Sequence, residues 1–278
     1  MSQATPRTLR ESQLTVADGV AHFSHQRPAA RNALSMDLRA DYQDMLAQVE
    51  SDRSIRALVI SGSGGSFCAG GDLKSLQALR NAEDPEARSP DAMRLRLRAG
   101  HVWMERLRSL EIPMIAAVDG PAVGAGFSIA LAADFVLASS RAVFCMSFAK
   151  VGLVPDLGAF YFLPRVVGMA RAKELALTAR RVGVDEAQKL GIVLSVHAPE
   201  ALETEALRFA SRLAAGPREA MGLTKGLFNK SFETPYATLA ELEAQAQAVA
   251  SAAPFHAQAI DAFLGGKPAA YDWDRQQG

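Results

Sequence analysis

The 278-residue chain carries 30 Lys+Arg against 30 Asp+Glu, so no net field draws it to nucleic acid or to an anionic membrane, and any bound anion must be met by local groups. Two cysteines, Cys68 and Cys145, are too few for a disulfide framework or a cysteine-rich zinc site, and the five histidines show no HExxH or paired spacing. The length suits one substantial core plus an appended element, because single cores stop growing near ~250–300 residues. Residues 1–10 are polar, and no run approaches the ~18 apolar residues of a membrane helix. A reducing cytoplasm is the expected compartment.

Residues 13–16 and 20–24 read as two short strands around an Asp18-Gly19 hairpin turn, ended by Gln26-Arg27-Pro28. Ser35 is a helix N-cap for residues 36–49, where Leu38, Tyr42, Met45, Leu46 and Val49 share one side. A buried strand at 57–61 feeds a glycine-rich stretch, 62–71, and a short helix over about 72–79. Residues 81–90 are polar, charged and turn-rich, a surface loop. Ser89-Pro90 opens a helix running toward Leu110, with Arg94, Arg96 and Arg98 expected on a solvated face. The order then repeats: a strand at 114–118, a glycine-rich turn at 120–126 and a helix at 127–132. Short strands follow near 135–138, 143–145 and 193–196, between helical stretches that include one after Asp156 and one at 185–190. Beyond Pro199 the chain reads as helix, with Pro217, Pro235 and Pro254 starting or separating helices. A boundary near residue 198 divides the α/β core, 1–198, from a C-terminal helical region, 199–278.

Where a strand enters a helix through glycines, successive backbone N–H groups can face one spot and hold developing negative charge. Two such turns could each contribute one amide to a single oxygen. Glycines also serve simply to make a tight turn, and either stretch alone is open to that reading. Both nucleotide fingerprints fail: Phe67 and Ile129 stand where GxGxxG needs its third glycine, and GxxxxGK[ST] is absent. The nearest approach to a GxSxG serine elbow, around Ser128, ends in Ala130.

Taken together, FCAGGDLK at 67–74 and GPAVGAG at 120–126 resemble the crotonase (enoyl-CoA hydratase/isomerase) superfamily. The resemblance extends through QRPAARNAL at 26–34, FAKVGLVPDLG at 148–158 with LPR at 163–165, and DEAQKLG at 185–191, nearly the whole chain. It implies a spiral of ββα units with a C-terminal helical region, assembled as a homotrimer or dimer of trimers. It also implies an acyl-CoA substrate, with coenzyme A as the thioester carrier and no prosthetic group or metal. Carried over by position, the oxyanion donors are the amides of Gly71 and Ala125, and the contacts to CoA fall on Arg27, Ala30, Ala69, Lys74 and Lys267.

Hydratases of this superfamily carry two glutamates, at positions held here by Ser128 and Phe148. Neither can position and protonate water, and Asp156 remains as the acid or base. Its segment is similar to the isomerase branches, including those acting on phenylacetate-type epoxides, where one carboxylate moves a proton between two carbons. Alternatively Asp156 caps the helix that follows. Phe127, Phe148, Phe160, Tyr161 and Phe162 are candidates for an apolar pocket that would raise its pKa. Asp72 reads as a helix cap, Asp134 as a turn residue, Cys68 as a small buried residue, and His101 and His197 as structural histidines without partners. The leading expectation is an enoyl-CoA double-bond isomerase. The rivals are an enoyl-CoA hydratase, a thioester hydrolase using Asp156 or Ser128, and a non-catalytic acyl-CoA-binding member.

Overall fold

The computed structural model describes residues 6–274; the polar reading of residues 1–5 falls outside them. Asp18 and Gly19 both take positive φ, 49° and 80°, the twist a two-residue hairpin demands. They join β2 (Ser12–Ala17) to β3 (Val20–His25), and the two-residue β1 (Arg7–Thr8) pairs with β2 on its other edge. Ser35 caps α1 (Met36–Ser51) by accepting from the Leu38 amide, and the five expected inward residues of α1 are buried. Asp41 of α1, fully buried, accepts from the amides of Arg10 and Glu11 and from the Ser12 hydroxyl, fixing the helix to the β1–β2 link.

β4 (Ala57–Gly62) follows, then α2 (Leu73–Arg80) and α3 (Pro90–Arg108), the latter capped by Ser89 with Pro90 in its first turn. Next come β5 (Met114–Val118), β6 (Pro121–Val123) and α4 (Ala125–Leu131). β7 (Phe135–Ser139) and β8 (Val143–Cys145) lead to α5 (Ala159–Val167) and α6 (Met169–Thr178). β9 (Val182–Gly183), α7 (Val184–Lys189) and β10 (Ser195–His197) complete the strands. Four helices close the chain: α8 (Leu202–Ala214), α9 (Arg218–Phe228), α10 (Tyr236–Ser251) and α11 (Pro254–Leu264). Pro217 and Pro235 occupy the cap positions of α9 and α10, and Pro254 the first turn of α11, where a missing N–H costs nothing.

The strands form a seven-stranded sheet ordered β1-β2-β3-β4-β5-β7-β10 and a three-stranded sheet ordered β6-β8-β9. From β3 to β10 the large sheet is parallel. Parallel strands are covered on both faces, which is why β5 is an unbroken apolar run and β4 is apolar through Ile60. Leu58 and Ile60 of β4 face the main core with α1 and α3, while Ala57 and Val59 face Leu202, Ala206, Ala210 and Leu213 of α8. Each turn of the chain places one strand in the large sheet, one in the small sheet and then a helix: β5, β6, α4, then β7, β8, α5. Cys68 repeats the pattern after β4 through a single parallel bridge to Ala122. The fold is thus the expected spiral of ββα units with C-terminal helices.

Two sequence expectations shift. The strand read at 193–196 starts later, at Ser195, and the glycine-rich turn at 120–126 contains a strand of its own, β6. No helix among the described residues is long and apolar enough to cross a membrane.

Candidate active site

The site is made where three loops are stitched together by backbone hydrogen bonds. Asn32, buried and with φ 54°, donates through its side-chain amide to the carbonyls of Ser63 and Ser66 and accepts from the Arg27 amide. The Ala69 amide donates to Arg31, and the Leu34 amide to Gly70 (2.7 Å). The loop at 27–34 therefore holds the first glycine-rich turn rigidly. That turn is joined to the second by the Cys68 bridge: Cys68 N–H to Pro121 O, 3.1 Å, and Val123 N–H to Cys68 O, 2.9 Å. Gly126 is needed for this approach, since a Cβ there would lie 2.2 Å from the Cys68 carbonyl oxygen. The second turn is fixed from behind by the Gly124 amide donating to Cys145 (2.8 Å), with Gly124 at φ 52°, ψ −120°, a conformation closed to L side chains.

Among the described residues, this stitching leaves the amides of Gly71 and Ala125 without an acceptor. Leu34 and Gly71 form a parallel bridge in which the bonds run through Gly70 C=O and Asp72 N–H. The N–H of Gly71 itself therefore points away from Leu34. Ala125 is the first residue of α4, where an amide has no intrahelical acceptor. Both residues line one cleft of ≈ 180 Å³, together with Ala69, Gly70, Gly124, Phe148, Val154 and Asp156.

Asp156 reaches the cleft from the loop before α5. The loop is tied to α4 because the Ser128 hydroxyl donates to the Asp156 carbonyl at 2.9 Å. After Asp156 the backbone turns through Leu157 at φ 49° and Gly158 at φ 84°, and Gly158 is the cap residue of α5, with no side-chain capping bond. The helix-cap reading of Asp156 is thereby excluded. Its Oδ1 is buried without a hydrogen-bond partner. Burial holds the carboxyl above its ordinary range, opposed by the positive fields of Arg39 and His101.

Asp72, the other carboxylate lining the cleft, is engaged. It caps α2 by accepting from the Lys74 and Ser75 amides and receives the Arg27 guanidinium at 2.7 Å. Arg27 also meets Glu11 at 3.2 Å, so the residue assigned to CoA is bound by two acids of its own chain. Ala30 sits in the short 3-10 turn Pro28–Ala30, with its amide donating to Arg27 O. Lys74 is exposed and lines a larger cavity beside the cleft. Lys267 is exposed beyond α11 and lines neither cavity.

Several side chains fall elsewhere than expected. Ser128 is fully buried with its hydroxyl committed to backbone carbonyls, so it is no nucleophile. Of the five aromatic candidates only Phe148 lines the cleft; Phe127 packs on Phe144, Phe160 is exposed, and Tyr161 packs edge-on against Phe162 and bonds Asn229 O. The apolar walls are instead aliphatic, from Leu34, Leu73, Leu76, Leu97 and Leu153. Arg96 leaves the solvated face and lines the cleft, as does Arg39 of α1, which the sequence pattern did not mark. His197 has a partner, Ser195 Oγ at 2.8 Å, and His101 contributes to the field at Asp156. Cys68 is buried, its thiol pushed up to about 11 by burial, as expected of a packing residue. Among the described residues no cluster of His, Cys, Asp or Glu could hold a metal ion.

Among the described residues, the spiral of ββα units thus brings the unengaged amides of Gly71 and Ala125 to one cleft with the buried carboxylate of Asp156. The chain belongs to the enoyl-CoA hydratase/isomerase family, which it matches over residues 15–272. It is 36% identical over 249 residues to a 1,2-epoxyphenylacetyl-CoA isomerase of Escherichia coli, covering 90% of this chain and 93% of that one. It is 34% identical over 239 residues to a crotonyl-CoA hydratase of Syntrophomonas wolfei, covering 86% and 88%. The solved structure of an enoyl-CoA hydratase/isomerase from Cupriavidus metallidurans superimposes with a TM-score of 0.89 at 39% identity, covering 95% of this chain and 97% of that one.

Proposed function

We propose that the protein is an enoyl-CoA isomerase in which Asp156 shuttles a proton while the amides of Gly71 and Ala125 hold the thioester oxygen. The observation that carries this reading is that, among the described residues, Asp156 is the one carboxylate lining the cleft without a side-chain hydrogen bond. The ionised carboxylate takes a proton from C2 of a 3-enoyl thioester. The electrons move onto the thioester oxygen as a dienolate, and Asp156 returns the proton at C4, so that the double bond passes from C3=C4 to C2=C3. One carboxylate suffices because it is regenerated.

Two preorganised donors act where charge develops, each worth ~10²–10³ in rate. A carboxyl held above its ordinary range by burial is a better match for transfer near neutral pH, and a positioned base contributes ~10²–10⁴. Hydration would need a second acid or base to handle water, and Ser128 and Phe148 supply neither. Coenzyme A enters as part of the substrate. Ala30, Ala69 and Lys74 border its approach, with Arg27 holding the α2 cap in place. Lys267 joins that set through an assembly of three or six copies. The assembly is supported by α10 and α11, none of whose residues is buried in the single chain.

The test is proton NMR of linear and aryl-substituted 3-enoyl-CoA in D₂O. Wild type is expected to move the double bond and introduce deuterium at C2 or C4, and Asp156→Asn to lose both by roughly 10²–10⁴. Hydration of a 2-enoyl-CoA that depends on Asp156 would replace the isomerase reading with the hydratase. Tight thioester binding without any exchange would leave a binding protein.

A further inference from the structure

The two arginines of the cleft are its least explained feature. Arg39 comes from α1 and Arg96 from α3, and both line the cavity that holds Asp156, Gly71 and Ala125. Among the described residues neither guanidinium forms a hydrogen bond or an ion pair, and Arg39 Nε is buried without an acceptor. Other half-buried arginines, such as Arg27, Arg108 and Arg180, are each engaged by an acid or a carbonyl through at least one nitrogen, although the Nε of Arg108 is likewise buried without an acceptor. Burial, with the charge of Arg96, pushes the Arg39 guanidinium below its ordinary range against the opposing field of Asp156, and burial alone does the same to Arg96. Two like charges partly withdrawn from water in one cleft call for an anion. Asp156 acts on Arg39 only through its field and lies within no ion-pair contact of it.

Arg96 also stands where the cleft opens into a second cavity of ≈ 680 Å³, the two sharing Leu73, Leu76, Met93, Arg96, Val151 and Leu153. The other charged residues lining that cavity are Lys74, Arg80 and Arg88, with no acidic side chain among them. The apolar residues shared by the two cavities, with Arg39 and Arg96 beside them, match an acyl chain with an apolar middle and a charged end.

We propose that the substrate is an acyl-CoA whose acyl group ends in a carboxylate, received by Arg39 and Arg96. This rests on the CoA-thioester reading but not on the isomerisation. Arg39 and Arg96 would select the substrate rather than carry the chemistry, and the planar guanidinium fork suits a bidentate carboxylate.

The test is binding, by titration calorimetry, of two non-hydrolysable thioether analogues of equal chain length, one an ω-carboxyalkyl-CoA and one an alkyl-CoA, alongside free CoA. Wild type is expected to bind the carboxylate analogue at least tenfold more tightly than the alkyl one. Arg39→Leu and Arg96→Leu are expected to erase that preference while leaving affinity for alkyl-CoA and free CoA within about threefold. Equal affinity of wild type for the two analogues overturns the proposal without needing a variant. A parallel loss of all three ligands in the leucine variants also overturns it and assigns the arginines to the CoA phosphates. Failure of wild type to bind any of the three removes the CoA reading itself. Because nothing is turned over, a preference for the carboxylate analogue stands even if no double bond ever migrates.

Discussion

Gly126→Ala tests whether the contact between the two glycine-rich turns sets the geometry of the proposed oxyanion donors, Gly71 and Ala125. A Cβ at position 126 would lie 2.2 Å from the Cys68 carbonyl oxygen and 2.7 Å from Cys68 Cβ, where contacts under 3.0 Å essentially never occur. The turns must therefore part by roughly 3.0 − 2.2, or about 0.8 Å, and the Val123-to-Cys68 hydrogen bond must stretch with them. A donor–acceptor distance near ~2.9 Å lengthened by that amount passes out of hydrogen-bonding range. One oxygen can then be held by one amide but not both, a loss of ~10²–10³ in kcat/KM. Overpacking of the buried contact also costs about 1–3 kcal/mol of stability. Gly71→Ala is the control, because a Cβ there meets nothing within 4 Å and its amide survives the substitution, so its melting temperature should match wild type. The assay is deuterium incorporation into acyl-CoA with thermal unfolding of each variant measured in parallel. A folded Gly126→Ala protein that exchanges protons within about threefold of wild type would refute the claim that the turn-to-turn distance controls catalysis.

Further outcomes follow from buried titratable groups. His25, fully buried, donates from Nδ1 to Phe67 O and accepts from the Tyr42 hydroxyl at Nε2, and burial lowers its pKa from 6.5 to about 4. The unfolded chain then takes up a proton first, so stability is fully present above pH 6.5 and falls by about 3 kcal/mol as pH drops toward 4. Tyr42→Phe leaves Nε2 without a donor and should cost about 1–3 kcal/mol at pH 7 by chemical denaturation; an unchanged midpoint would mean the bond contributes nothing. Asp156→Asn should be more thermally stable than wild type at pH 7, because the native state resists ionising a carboxyl that titrates near 3.8 when unfolded. The gain is expected to vanish below that pH, and its persistence there would locate the effect in packing instead. Native Cys68 should resist iodoacetamide at pH 8 while the urea-unfolded chain reacts, and fast labelling of the folded protein would contradict its burial.

The backbone of the site was written locally. The Asp18-Gly19 turn, the Ser35, Asp72 and Ser89 caps and the two strand-to-helix turns each depend on residues within a few positions of one another, so their φ/ψ demands are visible in the letters. The run at 57–61 likewise read as a buried strand. The expectation that Asp156 reaches the site followed from the resemblance of its loop, and the absence of glutamate at 128 and 148 set the expectation of an isomerase.

Other features depended on distant segments meeting. Whether Asp156 capped α5 turned on Leu157 and Gly158, whose left-handed backbone moves the helix start past it and lets the Ser128 hydroxyl hold its carbonyl. Arg39 and Arg96 carry no local signal, since an arginine on an amphipathic helix looks alike whether water or a substrate faces it. Only the packing of α1 against α3 brings the two guanidinia into one cleft. A charge's environment is set by what the fold places around it, and sequence spacing records only its own element.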